Sequence, residues 1–220
     1  MKKLLLIGIL AFSFSAWSQV IRLQEDFNLG SLPATWTTAA ISGTQNWSFG
    51  INGSSLNAGN NNLDGTAMAF FDDDALGGGS INNTASLTSP VFDNSRDSVI
   101  FLQFDYNFRE FGGPADRFYV EIYDGVSWNT VFSKTTNDCG SWVGSCTGNF
   151  PHANIDISQY RNTTCQIRFT YHDGNDWSWY VGIDNVLVKS TIDNDLSVTD
   201  ILNPISACNL GATEQVQVQI

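Results

Sequence analysis

Three aspartates stand in a row at Asp72-Asp73-Asp74, directly after the apolar run Ala67 to Phe71. Adjacent carboxylates repel one another when an ordered turn holds them close, and a bound cation is the simplest compensation. Calcium takes about six to eight oxygen ligands from carboxylates, carbonyls and water, and sodium accepts a similar set. The run lacks the spaced ligands and closing glutamate of an EF-hand, and a solvated acidic loop is the other reading of it.

Residues for acid–base or nucleophilic chemistry are sparse. Histidine occurs only at 152 and 172, so a His-Glu-x-x-His zinc helix cannot be built, and no Gly-x-Ser-x-Gly nucleophile elbow is present. Glutamate occurs at 25, 110, 121 and 214 alone, which offers no evident carboxyl pair for glycoside hydrolysis. Gly77-Gly78-Gly79 precedes no helical pattern, so it does not read as a phosphate loop. The expectation is a protein that does not catalyse. Trp142 and Trp177 lie among Gly, Ser, Asn and Asp, where aromatic side chains more often meet a ligand than they do inside a sheet. Trp36 and Trp128 sit beside apolar runs and are expected in the core.

The first residues carry an export pattern: Lys2-Lys3, an apolar stretch from Leu4 to Phe14, and small residues Ala16 and Ser18 ahead of Gln19. Residues 1–18 read as a signal peptide, which places the protein in the secreted or cell-surface compartment. That apolar stretch is shorter than the roughly 20 residues needed to span a bilayer. The whole chain has 10 basic and 22 acidic residues, and without the two signal lysines the balance is 8 to 22. Such acidity opposes nucleic acid and anionic membranes, so an extracellular glycan or protein is the expected partner. Four cysteines can pair in three ways. A local disulfide between Cys139 and Cys146 is expected, whereas Cys165 falls in phase with Ile167, Phe169 and Tyr171 as a small buried residue.

These groups must be positioned by strands. Ile100, Leu102, Phe104, Tyr106 and Phe108 alternate with Gln103, Asp105 and Asn107, a period of two that no helix would place on one face. Arg117 to Asp124 repeats the pattern, and Asp124-Gly125 turns the chain into Trp128 to Phe132. Further runs at Thr66 to Phe71, Ala85 to Phe92, Ile155 to Ile157, Cys165 to Tyr171 and Trp179 to Val188 complete the count for an all-β antiparallel sandwich of the jelly-roll kind. Residues 19–189 form this domain, 190–194 read as a polar linker, and 195–220 hold two strand-like runs that cannot close a sandwich.

Glu25-Asp26-Phe27, Leu32-Pro33-Ala34-Thr35-Trp36, Phe71-Asp72-Asp73-Asp74-Ala75, Leu87-Thr88-Ser89-Pro90, Asp156-Ile157-Ser158-Gln159-Tyr160 and Gly182-Ile183-Asp184-Asn185-Val186 follow one another in an order that resembles the MAM-like jelly rolls. The series is most similar to the cleaved-adhesin and choice-of-anchor J modules of exported Bacteroidetes proteins. The resemblance implies a structural calcium held by Glu25, Asp26, Asp72, Asp74 and Asp184, with Asp73 pointing away. It implies a non-catalytic adhesion or interaction module within a longer chain, or else a carbohydrate-binding module attached to a secreted hydrolase. The tail from Asp195 is similar to the start of an immunoglobulin-like repeat, truncated at Ile220.

Overall fold

The computed structural model describes residues 18–51, 64–77, 82–111, 115–137, 151–192, 200–203 and 215–219. The expected cleavage segment before Ser18, Trp142, Cys139 and Cys146 lie outside them. Gln19–Ile192 forms one compact unit made of two sheets. One sheet orders its strands as β3 (Ser48–Gly50), β4 (Met68–Asp72), β11 (Tyr180–Ile192), β6 (Val99–Arg109) and β9 (His152–Asp156), and β1 (Ser18–Glu25) also pairs with β11. The other runs β2 (Thr37–Ser42), β5 (Thr84–Thr88), β10 (Gln166–Asp173), β7 (Asp116–Tyr123) and β8 (Trp128–Lys134). Neighbours within that path are antiparallel, and sequence-distant strands lie side by side, which is the jelly-roll signature. Among the described residues no helix is long and apolar enough to cross a membrane.

The period of two decides what meets what. Ile100, Leu102, Phe104 and Phe108 are fully buried and Tyr106 nearly so, and they face Phe118, Val120, Ile122, Ile167 and Phe169 of the opposite sheet. Phe104 makes edge-on contacts with Phe118, Phe132 and Phe169, with centroids 6.3, 5.4 and 5.3 Å apart, the arrangement ring quadrupoles favour. Trp36 is buried and Cys165 is a free thiol in the core, whose burial pushes its pKa up to about 12. Asp124 closes the β7–β8 hairpin by accepting from the backbone of Val126 and Ser127, both at 2.8 Å, which pulls its carboxyl down to about 2.

Two expectations change here. Trp128 is half-buried on the outward side of its sheet, opposite Tyr123, with the Arg168 guanidinium 4.1 Å above its ring. The strand begins right after the turn, so its register sends the indole outward. The proposed linker also moves: β11 continues through Ile192, where Ser190 pairs with Ile100, Thr191 with Val99, and Ser98 donates to the Thr191 carbonyl. Polar composition misleads there because Ser and Thr sit well in strands when a neighbour supplies the ladder. A fragment ending at Ile192 should therefore unfold at the same denaturant midpoint as the full chain, whereas one ending at Lys189 should unfold earlier. Equal midpoints for the two would refute this boundary. In the remaining unit, β12 (Asp200–Asn203) pairs antiparallel with β13 (Gln217–Gln219).

Candidate functional site

The aspartate run turns out to be held by backbone donors. β4 ends at Asp72, and a 3-10 turn follows at Asp74–Leu76 with none of its residues buried. Asp73 is completely buried; its carboxylate accepts from the Ser178 N–H at 2.7 Å and the Asn83 side-chain amide at 3.2 Å. Asp72 accepts from the Ala75 N–H at 3.2 Å. Buried Asp173 takes the Asn83 N–H at 2.6 Å and the Asn83 amide at 3.1 Å on one oxygen, and the Asn175 N–H at 2.9 Å on the other. A carboxylate with such donors is stabilised without a cation. Gly43 belongs to the same arrangement, because a Cβ there would collide with the Asn83 carboxamide oxygen at a φ of +72°.

This clasp mounts two tryptophans, against which a third aromatic ring packs. The Trp179 carbonyl accepts from Asp73 N at 2.9 Å and Asp74 N at 3.0 Å, and Trp177 N donates to the Asp176 carboxylate at 2.8 Å. Phe111, which follows β6, is 55% exposed and lies 4.8 Å from Trp177 and 5.1 Å from Trp179, centroid to centroid. The two indoles are 4.9 Å apart and both are half-buried. Interplanar angles of 53°, 86° and 63° make the trio a knob of packed edges. Trp177 was legible as a loop aromatic; Phe111 and Trp179 were not, because only the fold brings the end of β6 to the start of β11.

The remaining expected metal ligands gather elsewhere. Tyr180 pairs with Asp72, so Asp184 lies four residues further along β11, about 13 Å away at roughly 3.3 Å per residue. One ion cannot bind both. Asp184 instead pairs with Asp105 of β6, and Glu25 and Asp26 line a cavity of about 200 Å³ with Gln24, Asn185, Val186 and Leu187. Glu25 accepts from Phe27 N and Asp26 from Asn28 N, so both carboxylates brace the first turn. The expected set thus divides, with Asp72 and Asp74 at one end and Glu25, Asp26 and Asp184 at the other.

At the second place, a bulge after Asp184 gives Asn185 a φ of 51°. The Asn185 amide donates to Asp105 at 3.0 Å and to Asp64 at 3.4 Å, while His152 Nδ1 lies 2.7 Å from the other Asp105 oxygen. Asp184 is fully buried; one oxygen accepts from Asn185 N at 2.7 Å and the other, Oδ2, has no partner. Burial, followed by the negative charge of Asp64, Asp105 and Asp26, pushes the Asp184 carboxyl up to about 7 against the one favourable Asn185 bond. Among the described residues no three histidine, cysteine or acidic side chains converge closely enough to cage a metal by themselves. An ion here must draw on neutral oxygens too. The orphaned Asp184 oxygen fits a hard cation, whereas the satisfied Asp72–Asp74 run does not. His172 Nδ1 accepts from Gly174 N at 2.9 Å, a turn-stabilising role.

A two-sheet jelly roll with an aromatic knob at one end is the class this geometry defines. No family model matches the chain, and no curated protein matches it. Among solved structures it is similar to the K1 cleaved adhesin domain of Lys-gingipain from Porphyromonas gingivalis W83, at 19% identity over 79% of this chain and 98% of that one, with a TM-score of 0.58. The K3 cleaved adhesin domain of the same protein gives 17% identity, 79% and 99% coverage and a TM-score of 0.55. TmCBM61, solved with β-1,4-galactotriose, gives 12% identity, 74% and 92% coverage and a TM-score of 0.50. The antiparallel jelly roll expected from the sequence is the fold observed, and these cleaved adhesin domains share that fold.

Proposed function

We propose that this chain is an exported, non-catalytic adhesion module that docks an extracellular protein partner through Phe111, Trp177 and Trp179, with a structural calcium bound at Asp184. The observation that carries the reading is the knob itself: a large ring more than half exposed, backed by two tryptophans that a buried carboxylate clasp holds in place. Exposed aromatics on a rigid base bind at low entropic cost, because little freedom is left to lose. Both histidines are already engaged with Asp105 and the Gly174 turn rather than with a nucleophile, which supports binding over turnover.

A carbohydrate-binding role calls for an open ring face on which a sugar can lie flat. The mutual tilts of 53° to 86° present edges and corners, which suit a protein surface better. Screening the purified protein against extracellular matrix proteins and a glycan array, beside peptidase and glycosidase assays, tests the proposal. A protein partner should be retained, and Phe111→Ala combined with Trp177→Ala should weaken it at least tenfold with the far-UV spectrum unchanged. Glycan binding lost in the same variant would favour the carbohydrate-binding alternative, and hydrolysis abolished by one carboxylate substitution would refute a non-catalytic role.

A further inference from the structure

Alternation along β7 and β10 sends Glu121 and Tyr123, with their partners Arg168 and Gln166, to the outward face of their sheet, away from Ile122 and Ile167 in the core. There Arg168 Nε donates to Glu121 Oε2 at 2.8 Å, and the guanidinium carbon lies 4.1 Å from the centre of the Trp128 ring. One edge and one face of the guanidinium are thereby fixed. Its Nη1 and Nη2 groups have no acceptor among the described residues, and the Arg168 side chain keeps 26% exposure against 12% for Glu121. A guanidinium held in this way is a preformed two-pronged donor, which matches a carboxylate with little rotamer freedom left to lose.

We infer that Arg168, seated on Trp128, anchors a second binding site on the outward face of β7, β8 and β10, and that its ligand is a glycan ending in a carboxylate-bearing sugar. The site goes beyond the docking knob and does not depend on it. Glu121 leaves the attraction intact: a ligand carboxylate on the free edge stands about 4 Å from the guanidinium and roughly twice that from Glu121, and Coulomb energy falls inversely with distance. The chain has 22 acidic residues against 10 basic, which disfavours a dense polyanion, so a single carboxylate among neutral hydroxyls is the better match. Thr88 pairs with Arg168 on one side, and Thr130 lies beyond Glu121 on the other. Gln166 Nε2 is held by the Ser89 carbonyl at 2.9 Å, which leaves the amide oxygen as an acceptor on this face. Hydroxyls and an amide suit the hydroxyls of a sugar ring, and Tyr123 and Trp128, 5.4 Å apart centroid to centroid, border them with aromatic carbon. An acidic peptide lacks such a footing, because extended peptides add to a sheet edge, and β7 and β10 are paired on both sides.

Titrating the full chain with sialyllactose beside lactose, and with a glucuronate-terminated disaccharide beside its glucose counterpart, tests the site through amide and indole chemical shifts. At least one acidic sugar should bind tenfold or more tightly than its neutral counterpart, move the Trp128 indole signal, and weaken as salt is raised. Methyl esterification of the sugar carboxylate removes the charge without touching the protein and should cost the same factor. Arg168→Lys keeps the positive charge and loses the fork, so it should weaken binding at least fivefold with the near-UV spectrum unchanged. Phe111→Ala combined with Trp177→Ala should leave sugar binding as it is, which separates this site from the knob. Equal affinity within both sugar pairs, or no binding of any of the four, would overturn the inference, as would parental affinity in Arg168→Lys. Loss in the Phe111 and Trp177 variant would move the glycan to the knob, and preference for a glutamate-rich peptide would overturn the choice of a sugar.

Discussion

Asp73→Ala should lower the unfolding free energy by about 3 kcal/mol or more, the largest loss from any single change in the acidic run. The substitution takes the Asp73 carboxylate away from the Ser178 N–H and removes one of the two carboxylates that hold the Asn83 amide, all among buried residues. An unpaired buried donor costs about 1–3 kcal/mol, and a hydrogen bond to a charged group contributes about 1.5–3 kcal/mol. Asp73→Asn keeps one acceptor and should cost roughly half as much. Asp74→Ala, at the half-buried start of the 3-10 turn, should stay within about 1 kcal/mol. Because the clasp mounts Trp177 and Trp179, Asp73→Ala should also weaken the near-UV circular dichroism of the tryptophans. Urea melts followed at both wavelengths measure the two effects. Equal losses for Asp73→Ala and Asp74→Ala would show that the clasp has been misread.

The contrast between these neighbours explains which parts of the fold were legible in the sequence. Alternation is local, so Ile100 to Phe108 could be assigned to one face before any partner strand was known. Asp73 could not, since its direction depends on the strand stopping at Asp72 and on donors that arrive from residues 83 and 178. Asn107 illustrates the same limit from the other side. Its place in the polar phase of β6 was readable, yet its complete burial depends on what the sandwich assembles around that end of the strand. Asp105 and Asp64 were passed over for a related reason: each is an isolated aspartate, and only the pairing of β6 with β11 and the bulge at Asn185 bring them to Asp184. Clustered residues attract notice in a sequence, whereas the fold here builds its most strained electrostatic site from scattered ones.

That site predicts a pH dependence opposite to the usual acid denaturation. The Asp184 carboxyl sits at about 7 in the folded chain against an ordinary value near 3.8, so between these limits the folded state binds more protons than the unfolded one. Stability then falls as pH rises, because its slope follows the protons bound by the unfolded state minus those bound by the folded state. The contribution is fully present below about pH 4 and lost as pH passes 7, and a shift of this size corresponds to a few kcal/mol at most. Asp64, Asp93, Asp124 and Asp156, all lowered by hydrogen bonds, act the other way and lose their contribution only as pH drops below about 4. In chelator the stability of the chain should therefore peak near pH 4 to 5 and decline toward pH 8. Asp184→Asn removes the ionisable group and should flatten that decline, making the metal-free protein more stable than the parent at pH 8. Calcium should do the same for the parent by giving the ionised carboxylate a partner. Denaturant melts at a series of pH values, with chelator and with calcium, measure all of these curves. A parent chain in chelator whose stability is level from pH 5 to 8 would mean that Asp184 ionises at no cost to the fold, and that its buried oxygen already has the partner the geometry lacks.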